Sequence, residues 1–248
     1  MDLDFTNMRP QLQLLVSAIQ KGVGEDIREY LLNSGKYTNN AVRAMLGDNI
    51  FTNISKYASS EALELRKFRR FAWEGCIIID RAHKLTYSIC SKRTFEGIPK
   101  KKERSFPHYL QSILFVQNST VQPKYIQPDL FGYDSESNFS PDVYFEDYAS
   151  IMGDFAGDGY IHWCIVYEAS HSAITHISMV KLDRNFSPAE EINLDDLLKP
   201  DFSELTGAAT ETEVKDAHSL ISLKPAGMGK TPDPVQIGVK ISEEEMLG

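Results

Sequence analysis

Ten of the twelve cations between residues 66 and 104 are the part of this sequence best equipped for chemistry with a partner. Arg66, Lys67, Arg69 and Arg70 come first, then Lys92 and Arg93, then Lys100, Lys101, Lys102 and Arg104. Phe68, Phe71, Trp73, Tyr87, Phe95, Phe106 and Tyr109 are interleaved with them. Clustered Lys and Arg neutralise backbone phosphates, and exposed aromatic rings stack on unpaired bases. An exposed loop over 100–104 would reach several phosphates. The plainer reading is a solvated basic face, or a surface that pairs with the protein's own acids. No nucleic-acid fold signature accompanies the cluster.

The cluster belongs to a wider segregation of charge. Residues 1–60 are balanced, residues 61–125 carry a net +7, and residues 126–248 a net −16, within a total of −9. Segregation of this kind bears on partners and solubility rather than on fold.

The acidic side offers a second chemistry. Asp129, Asp134, Glu136, Asp142, Glu146, Asp147, Asp154 and Asp158 could gather Mg²⁺ or Ca²⁺, whose preferred ligands are carboxylate oxygens. Asp154–Asp158 lacks the alternating Asp/Asn positions and closing Glu of a calcium loop, so a solvated acidic connection is the expectation. A restriction-type nuclease would need an acid followed two residues later by Lys on a strand. Glu74, Asp80 and Glu168 all lack that Lys.

His162, His171 and His176 fall in one hairpin. With a loop over Ala169–Ser172, His162 lies near Met179 and His176 near Ile165. Direct cross-strand neighbours are about 5 Å apart, so these two histidines do not oppose one another and a metal pair is not expected. Gly227–Thr231 mimics part of a phosphate loop. The motif's first Gly would fall at Lys224, and Pro232 and Pro234 forbid the helix that must come next. Cys76, Cys90 and Cys164 sit in apolar runs and read as buried thiols of a reducing compartment. Neither a catalytic residue, a metal ligand set nor a cofactor is assigned.

These residues must be positioned by a chain that changes pattern once. Residues 8–33 show helical spacing, broken near Gly22 and Gly24. A third helix runs from Thr38 or Asn39 to about Tyr57. A fourth is expected over Ser60–Phe71, because its acids come first and its cations last, the order a helix dipole favours. Trp73–Asp80 and Leu85–Cys90 then form a hairpin. Residues 91–104 read as polar and basic, and Pro107 starts a short helix through Val116. Residues 117–159 form a long acidic connection with one helical turn near Val143–Met152. A second hairpin joins Tyr160–Tyr167 to Ala173–Leu182. Ser187, Pro188 and Glu190 look like a helix start, and Asp195–Leu198 like a helical turn. Residues 203–234 are poor in large apolar groups and expected to be partly disordered. Val235–Ile241 reads as a late strand before the acidic Glu243–Glu245.

The resulting fold class is α+β, with N-terminal helices followed by antiparallel β-hairpins forming one sheet. The divisions are a helical region 1–72, a sheet region 73–200 containing the connection 117–159, and an acidic tail 201–248. No run approaches the ~20 apolar residues of a membrane helix, and Met1–Pro10 has no signal-peptide core, so a cytoplasmic protein is expected.

Residues 48–110 contain Asp48–Asn53, Trp73 with Ile77–Asp80, Lys84–Ser88, Lys92–Phe95 and His108–Leu110. In these pieces the chain resembles a bacterial and prophage family catalogued as a domain of unknown function. The resemblance implies a regulatory, phage-related or defence-related role and assigns no catalytic residue. With the charge pattern, it leads to a non-enzymatic interaction protein that binds nucleic acid or an acidic protein surface through the ten cations. A metal-dependent phosphodiester or nucleotide enzyme using carboxylates of 129–168 is the first alternative. An acidic DNA mimic is the second.

Overall fold

A computed structural model of the chain describes residues 5–57, 63–101, 103–124 and 139–200. Three helices come first: α1 (Phe5–Val23), α2 (Glu25–Asn33) and α3 (Val42–Tyr57). The apolar stripe Met8, Leu12, Leu15, Ile19 and Val23 of α1 repeats at helical spacing and is buried. Gly24 separates α1 from α2 as expected.

Six strands follow in one sheet, in spatial order β1 to β6: β1 (Leu63–Arg70), β2 (Trp73–Asp80), β3 (Leu85–Ser91), β4 (Ile161–Ser170), β5 (Ala173–Leu182) and β6 (Pro188–Asn193). All neighbouring pairs are antiparallel except β3 and β4, which run parallel with Leu85 opposite Ile161 and Ser91 opposite Tyr167. Parallel neighbours need a crossover. Here it contains α4 (Lys92–Lys100), α5 (Tyr109–Gln117) and α6 (Pro141–Met152).

Both faces of the sheet are covered. Ile78, Tyr87, Trp163, Ile165, Ile177 and Met179 pack against α1 and α3. Their strand neighbours Ile77 and Ile79 pack against α5 and α6. Cys90, Cys164, Val166 and Val180 meet Ile98, Leu110 and Leu114 of α4 and α5. Each fully buried Ile, Leu or Val contributes about 1.5–3 kcal/mol, which explains why β2 and β4 read as near-continuous apolar runs. The architecture is α+β, and the second helical layer is its departure from the sequence expectation. Among the described residues no helix is long and apolar enough to cross a membrane.

Several elements differ from the expectation. Residues 63–70 form the edge strand β1, not the end of a helix over 60–71. Leu63 and Leu65 face α1–α3 while Phe68 faces α5 and α6, a two-sided demand that no single helical stripe meets. Residues 92–100 form a helix because the Ser91 hydroxyl accepts the Thr94 N–H and caps it. The single turn near 143–152 extends to the three turns of α6, with Tyr144, Tyr148 and Ile151 buried. Residues 188–193 form a strand rather than a helix start. The Asp183 carboxylate accepts the N–H groups of Asn185 and Ser187 and folds the chain back for β6. The turn at Asp195–Leu197 is helical, as expected.

The strand directions bring three chain segments to one end of the sheet. These are the β1–β2 turn, the C-terminal end of β3 and the β4–β5 turn, because Arg70 pairs with Trp73, β2 runs against β3, and β4 runs with it.

Candidate nucleic-acid interface at one end of the sheet

Arg70 ends β1 on the face of α5 and α6, and its guanidinium is satisfied inside the protein. Its Nε lies 3.1 Å from Asp147 Oδ1 with side-chain exposures of 14% and 8%, and Nη2 donates to the Pro107 carbonyl at 2.9 Å. The Ser112 hydroxyl also donates to Asp147. The first hairpin turn is thereby tied to both α5 and α6.

Beyond that anchor the turn is aromatic. Phe71, Trp73 and Phe106 are 79%, 50% and 49% exposed. The Phe71 and Phe106 rings meet edge to face, 5.9 Å apart. Trp73 lies against Phe68 at 5.6 Å and Tyr109 at 5.4 Å. Gly75 makes the room: a Cβ there would come within 2.5 Å of the Phe68 ring and 2.6 Å of the Trp73 ring. His108 caps α5, accepting the Leu110 N–H at Nδ1 while its own backbone N–H donates to Gln111 Oε1. Burial, with Arg104 and Arg70 nearby, pushes the His108 pKa down to about 4, which keeps the ring neutral and able to accept.

The ten sequence-assigned cations divide into two sets. Arg66 Nε donates to the Ile151 carbonyl at 3.1 Å. Arg104 donates to the carbonyls of Ile98 at 2.9 Å and Lys101 at 3.2 Å, folding the 101–104 segment onto the end of α4. Lys92 pairs with Glu168 at 2.5 Å across the end of β4. These three, with Arg70, hold the fold together. Lys67, Arg69, Arg93, Lys100 and Lys101 are exposed, and among the described residues none of them forms an ion pair. Arg69 donates to the Phe71 carbonyl at 3.2 Å and so stays at the turn. The Lys101 carbonyl is tied to Arg104, which closely precedes Phe106 in the chain. Lys92 and Arg93 stand apart, since α4 separates its two ends by about 12 Å. Lys102 lies outside the described residues.

Among the described residues the acids gather no cation site. A cleft of about 640 Å³ beside β1 is lined by Glu64, Arg66, Lys67, Arg81, Asp154 and Asp158. Its three acids face three cations. Arg81 donates from Nε and Nη2 to the one oxygen Oε2 of Glu64, at 3.0 and 2.8 Å, and lies over the Phe155 ring. Gly153, at φ +56°, leaves space for the Arg66 guanidinium, which a Cβ there would meet at 2.5 Å. Among the described residues no three His, Cys, Asp or Glu side chains cluster as metal ligands. Asp80 is buried and accepts the His83 N–H and the Tyr87 hydroxyl, closing the β2–β3 turn. Asp129, Asp134 and Glu136 lie outside the described residues, as do Gly227–Thr231, Val235–Ile241 and the tail.

The histidines are held as structural groups. In the β4–β5 ladder His176 faces Glu168, and Ile165 faces Met179. The expected pairings of His162 with Met179 and His176 with Ile165 are therefore wrong, because the loop is the two-residue turn His171–Ser172 and a bulge follows Glu168. His162 is fully buried beneath α5. The Thr86 hydroxyl donates to Gln117 Oε1, so His162 Nδ1 donates to Thr86 at 2.8 Å and Nε2 accepts from Ser88 at 3.0 Å. Burial pushes its pKa down to about 3. All three cysteines are buried free thiols, and burial raises Cys76 to about 11 and Cys164 to about 12.

Sequence reasoning missed Phe71, Trp73 and Phe106 as a group distinct from the buried aromatics. Their signal was position: two flank the tight first turn, and the third lies in a segment without apolar periodicity. No curated protein and no solved structure matches the chain. A family model described as a family of unknown function, DUF5986, matches residues 7–231, and the chain belongs to that family.

Proposed function

We propose that this protein is a non-catalytic interaction protein, of bacterial or phage type, that binds nucleic acid through exposed cations of its central segment. One observation carries the reading. Asp147 and Glu168 engage Arg70 and Lys92, while Arg69, Arg93, Lys100 and Lys101 stay exposed. Exposed cations left out of ion pairs are suited to phosphate binding. The resemblance to a bacterial and prophage family supports a regulatory or defence setting.

The test is fluorescence anisotropy of the full chain with DNA and RNA, at low and at physiological salt. Binding should weaken as salt rises. Lys100→Glu with Lys101→Glu should weaken it further and lower the salt slope by roughly 0.7–0.9 for each phosphate no longer neutralised. Absence of binding at low salt overturns the reading. Capture of a basic protein in its place would favour the acidic mimic.

A further inference from the structure

We propose that Phe71, Trp73 and Phe106 form a stacking platform for unpaired bases, so that the nucleic acid taken is single-stranded. The inference rests on the nucleic-acid reading and specifies its ligand.

The structure separates the seven interleaved aromatics into two kinds. Phe68 and Tyr87 are buried, and Phe95 and Tyr109 are partly covered, so all four pack the interior. Phe71, Trp73 and Phe106 present about half or more of their surface to solvent. Such rings gain little for folding, and exposed apolar surface of this kind marks a binding surface. They are also fixed in place. Phe71 and Phe106 brace one another edge to face, and Trp73 is held by Phe68 and Tyr109. A ring already immobilised loses little entropy when a base stacks on it.

Phe71 sits at the first position of the β1–β2 turn. Its φ is +55°, a left-handed conformation that glycine adopts freely and a bulky side chain does not. The ring it carries stays 79% exposed, so burial does not repay the strained backbone. The two-residue turn between Arg70 and Trp73 sets that backbone, and the ring is left to solvent rather than packed.

Charge selects the occupant. Arg69 is bonded to the Phe71 carbonyl, and the Lys101 carbonyl accepts from Arg104, which closely precedes Phe106 in the chain. Rings flanked by cations fit a chain that alternates flat bases with phosphates. A duplex hides its base faces within the stack and offers only the phosphates.

The experiment compares three labelled probes of equal length on the full chain: oligothymidylate, an abasic strand with the same phosphates, and a duplex. Oligothymidylate should bind about tenfold or more tightly than the abasic strand and should quench Trp73 fluorescence. Phe71→Gly should lower oligothymidylate affinity about tenfold, leave abasic binding unchanged, and keep or raise Tm, so that loss of fold cannot explain the result. Lys100→Glu with Lys101→Glu should weaken all three probes. Equal affinity for oligothymidylate and the abasic strand overturns the platform and leaves phosphate binding standing. A Phe71→Gly variant that binds oligothymidylate like the native chain also overturns it. Failure of every probe at low salt removes both readings.

Discussion

Two hairpin turns stand at the same end of the sheet and are finished differently. The β1–β2 turn carries Phe71 at φ +55°, and its neighbours Trp73 and Phe106 are uncovered. The β4–β5 turn carries His171 and Ser172 at φ +50° and +62°, the doubly left-handed turn that suits the twist of a hairpin. Its residues are polar, and Ser172 lies near α2, with Arg28 3.5 Å from its carbonyl. The anchors differ too. Behind the aromatic turn stands the buried Arg70–Asp147 pair; behind the polar one, the Lys92–Glu168 pair, whose side chains are 50% and 36% exposed. The polar turn is packed as a structural corner. The aromatic turn is held rigidly from behind and left open in front.

Breaking each anchor gives the largest contrast. Asp147→Ala leaves a nearly buried guanidinium without its carboxylate and should cost about 3–5 kcal/mol in denaturant unfolding. Glu168→Ala should cost below about 1 kcal/mol, the usual value for an exposed pair. Equal losses would erase the difference between the two turns.

Acid probes the support beneath the aromatic turn at His108 and the buried network towards the opposite end of the sheet at His162. Both His108 and His162 have depressed pKa values, about 4 and about 3. Below about pH 6.5 the unfolded chain takes up protons that the folded rings refuse, so stability is fully present above that pH and falls on acidification. Each histidine should account for on the order of 3 kcal/mol by about pH 4. His108→Asn, which keeps a capping acceptor, and His162→Gln should each flatten the profile. An unchanged profile in both variants would show that other groups carry the acid sensitivity.

The smallest effect is the most discriminating. Phe71→Gly and Ser172→Gly should each raise stability by about 1 kcal/mol, since each relieves a left-handed non-glycine residue. Only the first should reduce nucleic-acid binding. A loss of stability in Phe71→Gly would mean that the ring is packed after all.

The sequence reveals the two hairpins and α1 to α3 because their apolar residues repeat at periods of two or about 3.6. It conceals β1 because Arg66, Lys67, Arg69 and Arg70 suit the end of a helix, and only the two covering layers make the segment a strand. In α4 the apolar signal is Phe95 and Ile98 alone. In α6 it rests largely on two tyrosines that read as loop residues among acids. The parallel pairing of β3 with β4 leaves no local trace, since it depends on the crossover. For the candidate site, the cation cluster is visible in the sequence. Which cations are satisfied internally is not, because Asp147, Ile151 and Glu168 approach from elsewhere in the chain.

That parallel pair also divides the assembly of the molecule. β1–β2–β3 and β4–β5–β6 can each zip from their own tight turns, whereas Thr86 and His162 meet across 76 residues of chain. Closing so long a loop costs conformational entropy before any interaction offsets it. The seam between β3 and β4 is thus the kinetic bottleneck of the fold, and the His162 network is the latch that closes it. A cut anywhere in the crossover would leave two finished β-meanders with no local means of finding each other.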